Sequence, residues 1–125
     1  MQLLCSVLLS GIDHVQIAAP PGRETDARRF YGELLGLPEL EKPEALRARG
    51  GSWFACGAQQ VHVGVEQEFV PARKAHPAFQ VRDYDALCDR LRAAGVEVAD
   101  DEAIPGVRRC YVHDPYGNRI ELVSS

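Results

Sequence analysis

The amino-acid sequence predicts an α+β fold: two βαβββ modules whose curved mixed sheets line a cleft. Three observations lead there. The chain presents the same order of elements twice, which marks an internal repeat. Each half opens on a strand that carries a histidine, and its last strand sets one ionisable residue between two aliphatic ones. The 125 residues, 46% hydrophobic and 26% charged, suffice for one shared core. A single half of about 55 residues would be marginal alone, so the halves are expected to pack as one compact domain.

The elements follow in order. Residues 1–10 are apolar, lack a basic start and are too short to span a bilayer, so they are read as an N-terminal arm. The first module, 11–66, begins with a strand over 12–18. A helix follows, because Ala27, Phe30, Tyr31, Leu34 and Leu35 recur at helical spacing. Thr25 or Asp26 is expected to cap it, and Gly36 to end it. Strands are expected over 38–41, 52–56 and 60–66, with Gly50 and Gly51 marking a turn. A polar linker, 67–75, contains Pro71. The second module, 76–125, repeats the pattern. It has a strand over 76–81 and a helix with Tyr84, Leu87, Cys88, Leu91 and Ala94 on one face, stopped by Gly95. Strands follow over 96–98, 107–113 and 119–123. Asp100, Asp101 and Glu102 read as a solvated acidic loop.

Composition narrows the function. The net charge is −4, and the basic and aromatic residues form no common stripe, so nucleic acid is not the expected partner. No run approaches the roughly 20 apolar residues of a membrane span, which argues against a membrane partner. The cysteines are Cys5, Cys56, Cys88 and Cys110, with no Cys-x-x-Cys spacing. They are read as reduced core residues of a cytoplasmic protein.

Strand alternation then sorts the side chains. His14, Gln16 and Ala18 share one face, opposite Val15, Ile17 and Ala19. His76, Ala78 and Gln80 share the equivalent face of the second half. His62 lies between Val61 and Val63, and Glu121 between Ile120 and Leu122. Each sheet therefore has an apolar face for its helix and a polar face carrying His or Glu. A carboxylate at mid-strand is costly to bury without a partner. Converging polar faces would line a cleft with His14, His62, His76 and Glu121. Three imidazoles and a carboxylate suit a divalent first-row metal (Zn, Ni, Fe, Mn or Co) and include the ingredients of a 2-His-1-carboxylate site. Trp53, Phe54 and Tyr111 read as core or cleft wall. Arg108, Arg109 and Arg119 read as a solvated strand edge, and His113 as a surface turn residue.

Three segments carry a resemblance. They are Asp13-His14-Val15; Arg29-Phe30-Tyr31 with Leu35-Gly36-Leu37; and the closing run Asp114-Pro115-Tyr116-Gly117-Asn118-Arg119-Ile120-Glu121-Leu122. Over residues 12–123 the chain resembles the vicinal oxygen chelate superfamily. That group includes glyoxalase I, fosfomycin- and bleomycin-resistance proteins, extradiol dioxygenases and methylmalonyl-CoA epimerase. The resemblance implies metal ligands at His14, His76 and Glu121. It implies a further ligand at His62, where glyoxalase I carries Glu. It also implies a homodimer acting on a small molecule, whose vicinal oxygens chelate the metal, in lyase/isomerase or dioxygenase chemistry. Glu121 would serve as both ligand and catalytic base. The bleomycin-resistance members imply the alternative, a metal-free protein that binds a drug or metabolite.

Overall fold

The computed structural model describes residues 7–125. Most of the expected N-terminal arm, and Cys5 with it, lies outside the described residues. The first module contains β1 (His14–Ala19), α1 (Glu24–Ala27) running on into a π-helical stretch (Arg28–Leu34), β2 (Glu39–Leu40), α2 (Glu44–Arg47), β3 (Ser52–Cys56) and β4 (Gln59–Val65). The second contains β5 (Ala78–Val81), α3 (Tyr84–Ala93), β6 (Ala99–Asp101), β7 (Arg109–His113) and β8 (Arg119–Ser124). Each module forms a four-stranded sheet, ordered β1-β4-β3-β2 in the first and β5-β8-β7-β6 in the second. The β1–β4 and β5–β8 pairs are parallel and the remaining pairs antiparallel, so both sheets are mixed as predicted.

The first helix buries Ala27, Phe30 and Tyr31, as their spacing requires. Its later part is wound more widely, with the Leu35 amide donating to the Phe30 carbonyl, an i to i−5 bond. Neither Thr25 nor Asp26 caps it. The helix starts at Glu24, ahead of both candidate caps, and Asp26 instead pairs with the Arg23 guanidinium at 2.7 Å. Gly36 ends the helix with φ of 78°, the left-handed conformation expected of a C-terminal glycine. In the second module the Asp83 carboxylate caps α3 by accepting from the Ala86 amide. Tyr84, Cys88 and Leu91 face inward. Helix α2 is a single turn and too short to leave a periodic signal.

One strand is displaced from its expected place. The third-from-last strand spans Ala99–Asp101, not 96–98, so Asp100 and Asp101 belong to a strand and not to an acidic loop. Asp101 pairs in register with Arg109, and their side chains meet at 3.2 Å. That ion pair accommodates a half-buried carboxylate on the edge strand of the sheet. Val96 and Val98 lie before the strand, partly buried against the core.

The core is continuous across both modules. Ile17, Phe54, Val61 and Val63 lie with Phe30 and Tyr31 in the first. Cys110, Val112, Ile120 and Leu122 lie with Cys88 and Leu91 in the second. Cys56, Cys88 and Cys110 are free thiols. The helices meet where Arg90 donates to the Leu34 carbonyl.

The closing motif joins the modules. The buried Asp114 carboxylate accepts from the Tyr31 hydroxyl at 2.6 Å, the Tyr116 amide at 2.9 Å, and the Asn118 amide and side chain, each at 2.8 Å. Asn118 also donates to the Ala18 carbonyl of β1, and the Tyr116 hydroxyl to the Arg23 carbonyl. The Asp-Pro-Tyr-Gly-Asn turn is thus a latch between the strand of His14 and the strand of Glu121.

Gly51, just before β3, has φ of 86°, and a Cβ placed there would lie 2.2 Å from the Val63 carbonyl oxygen. Gly51→Ala must shift backbone in the middle of the sheet. It is expected to cost about 2–3 kcal/mol in a urea unfolding titration.

Candidate functional site

The expected site residues stand as two pairs, one on each sheet. On the first sheet, β1, β4 and β3 are neighbours, and His62 of β4 is paired in register with Gln16 and Trp53. The His62 ring stacks on Trp53 with centroids 3.9 Å apart and planes 1° apart. His14 stacks on it as well, at 4.1 Å and 18°. This cover leaves His62 only 6% exposed although it lies on the face away from the helix. Burial, and then the neighbouring His14, hold its pKa below that of an ordinary histidine. Its Nε2 lies 2.8 Å from the Gln60 side-chain oxygen and donates to it. His14 Nδ1 lies 2.9 Å from the Asp13 carboxylate. A proton held there leaves Nε2 of His14 with a free lone pair, the arrangement in which a carboxylate orients a metal-binding imidazole.

On the second sheet, His76 lies two residues before β5, and Glu121 pairs in register with Ala78 and Tyr111. His76 Nδ1 donates to the Lys74 carbonyl at 2.9 Å, and its Nε2 meets Glu121 Oε1 at 2.9 Å. A nitrogen lone pair and a carboxylate oxygen cannot approach so closely unless one proton lies between them. The other Glu121 oxygen accepts from Arg109 at 3.0 Å.

Arg109 is not the solvated edge residue the sequence implied. Its side chain is 13% exposed and contacts Asp101, Glu121 and the Tyr111 hydroxyl. The cause is its place on β7, facing β8 on one side and β6 on the other. Arg108, by contrast, is exposed and pairs with Asp85. Arg119 lies 3.9 Å over the Tyr111 ring, which packs roughly perpendicular to the His76 ring at 5.4 Å. Tyr111 and Trp53 therefore wall the two pairs, while Phe54 is core. His113 is exposed.

Burial alone would push the Glu121 pKa up, but the hydrogen bonds from His76 and Arg109 outweigh it and hold the carboxyl below the usual range. A depressed carboxylate contributes stability above its unfolded pKa and loses it as pH falls through the folded value. Stability should accordingly decline as pH drops below about 4.5, the ordinary Glu value. Glu121→Gln should flatten that decline in urea titrations across the acid range.

The donor types fit a divalent metal, but their grouping within one chain does not complete a site. Among the described residues no three His, Cys, Asp or Glu side chains gather as a metal-binding group. A first-row ion takes three or more protein ligands, so one pair is too few. A cavity of about 410 Å³ lies elsewhere, between the first helix and the C-terminal end of α3, and none of the four expected ligands lines it.

Residues 11–122 match the model of the Glyoxalase/Bleomycin resistance protein/Dioxygenase superfamily. The chain belongs to this superfamily. A superfamily structure from Bacillus anthracis, a glyoxalase family protein, is 56% identical with a TM-score of 0.90, covering 94% of this chain and 96% of that one. Lactoylglutathione lyase from Agrobacterium tumefaciens shares the fold at 22% identity, with a TM-score of 0.73 over 94% and 96% of the two chains. So does a mutant of the fosfomycin resistance protein FosX from Listeria monocytogenes, complexed with Mn(II) and 1S,2S-dihydroxypropylphosphonic acid. It is 19% identical, with a TM-score of 0.78 over 94% of each chain. No curated protein matches the chain. No helix among the described residues is long and apolar enough to cross a membrane.

Sequence reading did not anticipate what four residues do beside the candidate site: Asp13 and Gln60 as hydrogen-bond partners, Trp53, expected only as core or cleft wall, as the stacking partner of His62, and Arg109, expected at a solvated edge, as the partner of Glu121. Asp13 was within reach, as the residue beside His14. The other three depend on strand register, which pairs Trp53 with His62 and places Arg109 two residues along β7 from Tyr111, the partner of Glu121.

Proposed function

We propose that this chain is a metal-dependent enzyme of glyoxalase type. A divalent first-row ion (Zn, Ni, Fe, Mn or Co) would be held by His14 from the first sheet and by His76 and Glu121 from the second. The observation that carries this reading is the meeting of His76 Nε2 and Glu121 Oε1, 2.9 Å apart. His14 Nε2, freed by the bond from Nδ1 to Asp13, is the third donor. The Mn(II) complex of the FosX mutant supports a metal in this fold. Because each sheet carries only a pair, the complete set would be assembled in a homodimer, the first sheet of one copy facing the second sheet of the other. The free thiols fit a reducing compartment, the cytoplasm.

When bound, the ion supplies Lewis acidity to the vicinal oxygens of a small substrate. The chain supplies the rest. Asp13 and the Lys74 carbonyl set the orientation of the two imidazoles. Arg109 holds one Glu121 oxygen and His76 meets the other, so the carboxylate is oriented to serve as ligand and as the candidate catalytic base. Trp53 and Tyr111 wall the site and limit water. This supports lyase/isomerase or dioxygenase chemistry, and the fold does not choose between them.

Metal analysis of protein purified without chelator tests the reading. About one equivalent of a transition metal per chain is expected, as purified or after reconstitution. Less than about 0.1 equivalent with no gain on reconstitution would instead favour a metal-free protein that binds a drug or metabolite.

A further inference from the structure

We infer that His62 is a positioning residue for His14 and not a metal ligand. The inference rests on the reading of His14 as a ligand. His62 occupies the central strand of three, with Trp53 on β3 stacked at 3.9 Å and His14 on β1 stacked at 4.1 Å. The strand order β1-β4-β3 puts these partners on opposite sides, so both ring faces are covered. The ring nitrogen Nε2 is taken by Gln60 at 2.8 Å. What His62 offers His14 is therefore a flat surface, backed by the indole of Trp53. A histidine has two side-chain torsions to fix. Asp13, bonded to Nδ1, selects the tautomer and the rotation of the His14 ring, and the His62–Trp53 platform selects its plane. A ligand fixed this way loses little freedom when it takes up a metal.

The geometry separates the two roles of His62 cleanly. Phenylalanine keeps a flat ring in the stack but has no nitrogen, whereas alanine removes both. The experiment uses the full chain and Co²⁺, whose binding is followed by calorimetry and visible absorption. His62→Ala is expected to weaken Co²⁺ binding about 10-fold, as loss of a supporting partner does. His62→Phe should stay within about threefold of the parent, since an aromatic pair replaces an aromatic pair. Trp53→Leu, which loosens the platform from its outer side and touches no nitrogen, should weaken binding in the same direction as His62→Ala. It also keeps the test open if His62→Ala does not fold.

A metal-free readout runs beside this. The ring protons of His14 lie over the His62 ring and should resonate upfield of ordinary histidine positions. The shift should persist in His62→Phe and vanish in His62→Ala. If the parent binds Co²⁺ and His62→Phe loses as much affinity as His62→Ala, His62 is a ligand, and the positioning role is overturned while the proposed function stands. If the parent takes up no Co²⁺ but the His14 resonances behave as stated, the proposed function fails and the platform stands. Unchanged His14 resonances in His62→Ala would overturn the platform outright.

Discussion

Asp114→Ala is expected to lose about 3–5 kcal/mol of folding stability, the range for breaking a buried charged network. The carboxylate is 5% exposed and accepts four hydrogen bonds. Alanine would leave the Tyr31 hydroxyl, two backbone amides and the Asn118 side chain without their acceptor. Each unpaired buried group costs about 1–3 kcal/mol, and relaxation of the turn keeps the sum below simple addition. Tyr31→Phe removes one donor and leaves the turn's own bonds to Asp114 intact, so its cost should be about 1–2 kcal/mol. Urea unfolding of the two variants checks the order. An Asp114→Ala cost no larger than that of Tyr31→Phe would show that the latch contributes little.

This latch also explains why the closing motif is so informative in the sequence. Its residues hold the modules together through Tyr31, Ala18 and Arg23, and only then does β8 carry Glu121 into place. The role of the motif was invisible at the sequence level because its partners outside the turn, Tyr31, Ala18 and Arg23, lie in the other module.

The rest of the fold was legible where burial leaves a period. Phe30 and Tyr31 on the first helix, Cys88 and Leu91 on α3, and the alternation of Ile120, Glu121 and Leu122 all point to the correct faces. The failures share a cause. Val96 and Val98 are apolar enough to resemble a strand, whereas Asp100 and Asp101 are too polar. The strand forms at the aspartates because Arg109 is waiting across the ladder. Arg109 itself looked like surface charge for the same reason. A charge can enter a sheet only with a partner, and partners are set by register, which a single strand does not reveal. At the candidate site, the place of His14, His62, His76 and Glu121 on the polar faces was legible from alternation. Their division into a stacked pair and a proton-sharing pair was not.

The second large effect concerns the metal. His76→Ala removes one of three proposed donors and should weaken divalent metal binding by more than about 100-fold, beyond the loss expected for a supporting residue. It also leaves the Glu121 carboxylate with Arg109 as its remaining partner, and a guanidinium disfavours a second cation close by. His14→Ala should lose the metal to a similar degree, although it lies on the other sheet. Unchanged metal content in His76→Ala would show that the ligand set is wrong.

Mixing these two variants is the most direct test of the site as two half-sites joined between copies. In a dimer of one His14→Ala chain and one His76→Ala chain, one site has lost both histidines and the other has kept both. After unfolding and refolding together, random pairing should restore Co²⁺ binding to about a quarter of an equivalent per chain, with parent-like affinity. Each variant alone should bind almost none. A mixture that binds no more Co²⁺ than the separate variants would contradict the account.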